Sequence, residues 1–80
     1  MNYLLNKELS LSAKGFVSLV LHLQEAEIKP TIETVIKYSQ EYNQIKADDL
    51  YVLLRQGYIW FDENNNCYTA YEYNNKSYVS

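Results

Sequence analysis

At 80 residues and 48% hydrophobic content the chain is long enough for one small folded domain, near the size at which a single core supplies no more than about 3–5 kcal/mol. One cysteine, Cys67, excludes an intramolecular disulfide, and the single His22 has no second His or Cys near it in sequence, so no metal-ligand spacing is present. Seven basic residues against ten acidic ones leave a net charge of −3, which excludes the globally basic signature of most duplex-binding domains and confines any nucleic-acid contact to a local patch.

The first eight residues lack the basic-then-apolar order of a secretory signal. The longest apolar-rich run, residues 16–23, is broken by Ser18 and His22 and is too short to span a bilayer. With the unpaired cysteine, this reads as a cytoplasmic protein with no membrane partner. No repeat, linker or composition shift divides the chain. A single domain over 1–80 is expected, with its core at about 8–73 and loose ends.

The first helix is expected at about 13–24, capped by Ser10 or Ser12. At 100° per residue Lys14, Ser18, His22 and Glu25 share a narrow polar sector, while Phe16, Val17, Leu19, Val20, Leu21 and Leu23 fill an arc of roughly 200°. So wide an apolar arc implies either packing against several elements or a subunit interface that includes Val17 and Leu21. Pro30 pushes Lys29 out of the helical region, which makes residues 27–30 an extended segment suited to a minor strand. Thr31 then caps a second helix at about 32–40, with Ile32, Val35, Ile36 and Ser39 inward, and residues 42–44 turn the chain.

The third helix is expected at 47–56. With Lys46 as N-cap, Ile45 and Leu50 form a hydrophobic staple, and Asp48 and Asp49 meet the positive end of the helix dipole. Leu50, Leu53 and Leu54 face inward; Asp48, Val52, Arg55 and Gln56 face outward. Gly57 sits where a helix terminus calls for positive φ. Tyr58-Ile59-Trp60-Phe61 then reads as a strand, the run from Asp62 to Asn66 as a turn, and residues 67–73 as a second strand. Alternation sets Trp60 on the face opposite Ile59 and Phe61. Residues 74–80 either add a short strand or form a loose tail. The architecture is α+β: a winged helix-turn-helix of three helices with a C-terminal β-hairpin wing.

The segment Leu9-Ser10-Leu11-Ser12-Ala13-Lys14-Gly15-Phe16, and the closing Leu50, Leu53, Gly57, Tyr58 and Ile59, resemble a recurrent pattern in one winged-helix group. Its members are replication initiators and replisome organisers of low-GC Gram-positive phages and plasmids, and the resemblance covers about residues 8–73. It implies a DNA-binding domain of a phage or mobile element, acting in replication or transcription regulation; initiators of this group carry a further domain, so a stand-alone winged helix is expected here. Asp48 and Asp49 depart from the polar and basic residues that usually open the third helix of the group.

Nothing in the chain pairs a nucleophile with a base, and no glycine-rich loop is available to cradle phosphate, so neither enzymatic activity nor a cofactor is expected. Three readings stay open. The leading one is duplex DNA binding through Lys46, Arg55, Gln56 and the wing. The second is a protein-interaction module, possible as a homodimer, using Val17, Leu21, Trp60 and Tyr73. The third is single-stranded DNA binding, with Tyr68 and Tyr71 stacking on bases.

Overall fold

The computed structural model describes residues 1–39 and 47–74. Three helices, α1 (Leu11–Glu25), α2 (Ile32–Tyr38) and α3 (Ala47–Gln56), are followed by an antiparallel hairpin of β1 (Ile59–Asp62) and β2 (Cys67–Ala70). This is the α+β winged-helix layout. The expected turn at 42–44, the Ile45–Leu50 staple, Gln40, Lys46 and the tail beyond Asn74 all include or fall on positions outside the described residues.

Of the two candidate serines, Ser10 caps α1: its hydroxyl accepts from the Ala13 amide at 3.0 Å. Ala13, Phe16, Val17, Val20 and Leu23 are buried, and Leu19 and Leu21 pack against the core from its margin. The wide apolar arc of α1 is therefore taken up largely inside the molecule. At its far end Glu27 adopts φ 61°, the Glu27 amide donates to the Gln24 carbonyl and Ile28 to Leu23.

Thr31 caps α2 through its hydroxyl, which accepts from the Thr34 amide at 3.1 Å. The helix stops at Tyr38, short of the expected end, and buries only Val35 fully. The minor strand expected before it is reduced to one bridge, Thr31 with Cys67, and a hydrogen bond from the Tyr68 amide to the Pro30 carbonyl at 2.9 Å.

The end of α3 falls where the sequence places it. Leu53 is fully buried, with Leu50 and Leu54 against the core. Gly57 has φ 81°, its amide bonds the Leu54 carbonyl at 3.2 Å, and the Tyr58 amide bonds Leu53 at 2.9 Å. This pair of bonds is the Schellman arrangement, and it turns the chain straight into β1. Tyr58, Ile59, Leu53, Val17 and Val20 have no exposed surface and form the centre of the core. Each contributes about 1.5–3 kcal/mol of burial before the entropy of ordering is subtracted.

In the hairpin Ile59 pairs with Ala70, Trp60 with Thr69, Phe61 with Tyr68 and Asp62 with Cys67. The second strand ends at Ala70 rather than Tyr73, although the Tyr71 amide still reaches the Tyr58 carbonyl at 2.9 Å. Ala70 is also held from α1: its amide donates to Gln24 Oε1 and its carbonyl accepts from Gln24 Nε2.

The first residues correct the expectation of a loose end. Residues Tyr3–Leu5 form a 3-10 turn, Tyr3 is buried, its amide bonds the Glu72 carbonyl at 3.1 Å, and Asn2 bridges Tyr73. The core thus begins at Tyr3, because these residues lie against the chain leaving β2.

Candidate functional site

The outward face of α3 is where a winged helix meets a DNA groove. Asp48 and Arg55 are exposed there, with Tyr51 between them at 64% exposure. Two residues assigned to this face by periodicity are not on it. Val52 is half-buried and packs against the core. Gln56 is tied to the N-terminal segment: its Oε1 accepts from Asn6 Nδ2 at 2.8 Å, and its Nε2 donates to the Glu8 carboxylate at 3.1 Å. Both polar atoms of its amide thus engage the N-terminal segment. Lys46 lies outside the described residues.

Asn6 is the one buried polar residue of the described chain, and its bonds explain why it is tolerated. The second Nδ2 hydrogen goes to Tyr58 Oη at 3.0 Å, Asn6 Oδ1 accepts from the Glu8 amide, and the Tyr58 hydroxyl donates to the Met1 carbonyl at 2.8 Å. A satisfied buried network of this kind orders the segments it joins, here the N-terminus, the end of α3 and the start of β1.

The wing splits the aromatic residues between its two faces. Tyr68 pairs with Phe61, so it lies on the core side, edge-on to Phe16 at 5.1 Å and 4.8 Å from Phe61 by ring centroids. Burial pushes its phenol above the usual value, and the ring is committed to packing rather than to stacking on a base. Tyr71 is half-buried. Trp60 and Tyr73 are exposed, as an interface residue must be, whereas Val17 is fully buried and cannot be one. Leu21 is half-buried against the core.

The tip of the wing is acidic and amidic. Asp62 accepts from the Asn65 side chain and from the Asn64 amide at 3.0 Å; the Asn65 amide bond is the largest of the contributions that hold its carboxyl below the usual carboxylate range. Residues 62–66 contain no lysine or arginine. Among the described residues the outward face of α3 and the wing tip together present Asp48, Asp62 and Glu63 against one cation, Arg55.

Exposed large hydrophobic side chains not singled out by sequence reading include Leu4, Leu5 and Leu11, besides Met1, Ile28, Tyr38 and Tyr51. Leu11 was detectable, since it falls on the polar side of α1 opposite Phe16 and Val20. Leu4 and Leu5 were not, because nothing local marks residues 1–6 as ordered.

Among the described residues no helix is long and apolar enough to cross a membrane, and no group of three His, Cys, Asp or Glu side chains is placed to hold a metal ion. No family model, curated protein or solved structure matches the chain.

Proposed function

We propose that this winged helix is a protein-interaction module, working in the cytoplasm as a regulator or replication accessory of a phage or other mobile element. The observation that carries the reading is that Leu4, Leu5 and Leu11 stand exposed on a small domain whose α3 and wing tip are predominantly acidic. Exposed large apolar side chains are available to a protein interface, and carboxylates at the groove-reading helix repel phosphate. The mobile-element context rests on the resemblance of residues 9–16 and 50–59 to replication initiators and replisome organisers.

A second reading, duplex DNA binding, is favoured by one observation: Arg55 is exposed on the outward face of α3, where a phosphate or guanine contact belongs. Gel retardation with random duplex and with oligo-dT separates the readings. The interaction module leaves both unshifted at about 0.15 M salt, a condition under which surface charges are screened beyond about 8 Å. Duplex retardation that survives this salt and disappears with Arg55→Ala overturns the proposal in favour of DNA binding. Preference for oligo-dT, lost with Tyr71→Ala, overturns it in favour of single-strand binding.

A further inference from the structure

We infer that residues 1–6 and 72–74 form one latch at the end of α3, which opens as a unit and releases Gln56 while the helices and the hairpin stay folded. The inference stands apart from the interaction reading, because it concerns access to the α3 exit whichever partner the domain takes. The main-chain bonds of the two segments run to each other. The Tyr3 amide donates to the Glu72 carbonyl at 3.1 Å, the Asn74 amide donates to the Met1 carbonyl at 3.4 Å, and Asn2 bridges Tyr73. Neither segment keeps these bonds once the other has left. Little apolar burial secures them. Of residues 1–6 only Tyr3 and Asn6 are buried, and Glu72 and Tyr73 are exposed. The Tyr3 ring, with its hydroxyl 2.6 Å from Ser18 Oγ on α1, is the latch's one apolar anchor among the buried side chains. The hairpin is fixed differently: Ile59 and Ala70 are buried and Tyr68 packs edge-on to Phe16. Segments held by few buried apolar contacts open at lower free energy than the core beside them, so a boundary between opening units falls after β2.

The polar network carries the opening to α3. The Met1 carbonyl accepts from Tyr58 Oη at 2.8 Å, and Asn6 Nδ2 donates to Tyr58 Oη at 3.0 Å and to Gln56 Oε1 at 2.8 Å. Withdrawal of residues 1–6 therefore takes both partners from the Tyr58 hydroxyl and one from Gln56. Glu8, which accepts from Gln56 Nε2, moves with Asn6, because the Glu8 amide bonds Asn6 Oδ1 at 3.0 Å. In the closed state the Gln56 amide is turned to the N-terminal segment. In the open state it is released beside the exposed Arg55, and the two together offer donors and an acceptor at the last turn of α3. A partner that binds this pair binds the open state better and draws the latch open.

Native-state hydrogen exchange of the full chain, followed by NMR, reads the opening group by group. The Tyr3 and Asn74 backbone amides and the Asn6 side-chain amide are expected to share one protection factor, at least tenfold below those of the Tyr58 and Ala70 amides. Tyr3→Phe deletes the hydroxyl at Ser18 and touches no bond to residues 72–74 or to Gln56. It is expected to lower the protection of all three reporters by one common factor, about threefold or more, and to leave Ala70 unchanged. Asn6→Ala is expected to lower Tyr3 and Asn74 together by at least tenfold; should that variant unfold, Tyr3→Phe decides alone. Unequal factors at Tyr3 and Asn74 overturn the single latch, since the two segments then open separately. An Asn6 side-chain amide that does not follow them overturns the release of Gln56. Protection equal to that of Ala70, or latch amides that respond to neither variant, overturns the device altogether, because the ends then leave only with the whole fold.

Discussion

Helices α1 and α3 leave their last turns along the same backbone path. In each, the residue after the cap takes positive φ, its amide reaches three residues back and the next amide reaches five: Glu27 to Gln24 and Ile28 to Leu23 in α1, Gly57 to Leu54 and Tyr58 to Leu53 in α3. The side chains differ. At α3 a glycine takes the left-handed position, and the following Tyr58 is fully buried over the equally buried Leu53. At α1 a glutamate takes that position, and the following Ile28 is 37% exposed although Leu23 beneath it is buried. Backbone hydrogen bonding alone can terminate a helix; a buried side chain at the exit is what commits the chain to its next element. The α3 exit is part of the core, and the α1 exit is a surface bend.

The largest effect that probes this contrast is truncation at the two exits. Tyr58→Ala empties the centre of the core and removes one of the hydrogen-bond partners of buried Asn6, and is expected to cost about 3–5 kcal/mol, enough to unfold a domain of this size. Ile28→Ala removes a side chain already partly in water, and is expected to cost less than about 1 kcal/mol. Urea denaturation of the two variants measures both; equal losses would mean that the exits are alike in energy as well as in path.

Smaller effects come from the left-handed residues. Gly57→Ala forces a Cβ into positive φ and is expected to destabilise by about 1–2 kcal/mol. Glu27→Gly relieves that strain and is expected to raise stability, by at most about 1 kcal/mol because glycine also loosens the unfolded chain. Opposite shifts in melting temperature check the pair.

The smallest effect lies in the wing turn. The Asp62 carboxyl is held below its ordinary range by the Asn65 amide and neighbouring backbone amides, so its folded value lies under its unfolded one. Its contribution is therefore complete above the unfolded value of about 4 and is lost as pH falls through the folded value. NMR shifts of Asn64 and Asn65 are expected to follow that titration below about pH 4, while Gly57 and Tyr58 stay unchanged; Asp62→Asn removes the response.

The comparison also shows what could be read from residues alone. The α3 exit was legible because each step has a local signature: leucines at helical spacing, a glycine, then alternating strand residues with Trp60 turned out. The Thr31 cap was legible for the same reason. The α1 exit was not, since Glu27 carries none of the usual marks of positive φ. Tyr68 was misplaced because hairpin register depends on how residues 62–66 turn, and only that register sets it opposite Phe61 on the core side. Gln56 was misplaced because its partners, Asn6 and Glu8, lie about fifty residues away and leave no periodic trace. The same distance hid the order of residues 1–6, whose hold comes from Tyr58, Glu72 and Tyr73. Of the candidate site, Arg55, Trp60 and Tyr73 stood exposed as expected, and the exposure of Leu4 and Leu5 emerged only from the fold.

The two hydrogen bonds exchanged between the Gln24 side-chain amide and the Ala70 backbone have a consequence for solution behaviour. A side-chain amide offers the same donor and acceptor pair as a peptide group, so Gln24 acts as a one-residue false neighbour on the outer rim of β2. With the Pro30 carbonyl occupying the Tyr68 amide on the same rim, three of the outward backbone groups of β2 are already engaged, which makes that side of the ribbon a poor template for an incoming strand.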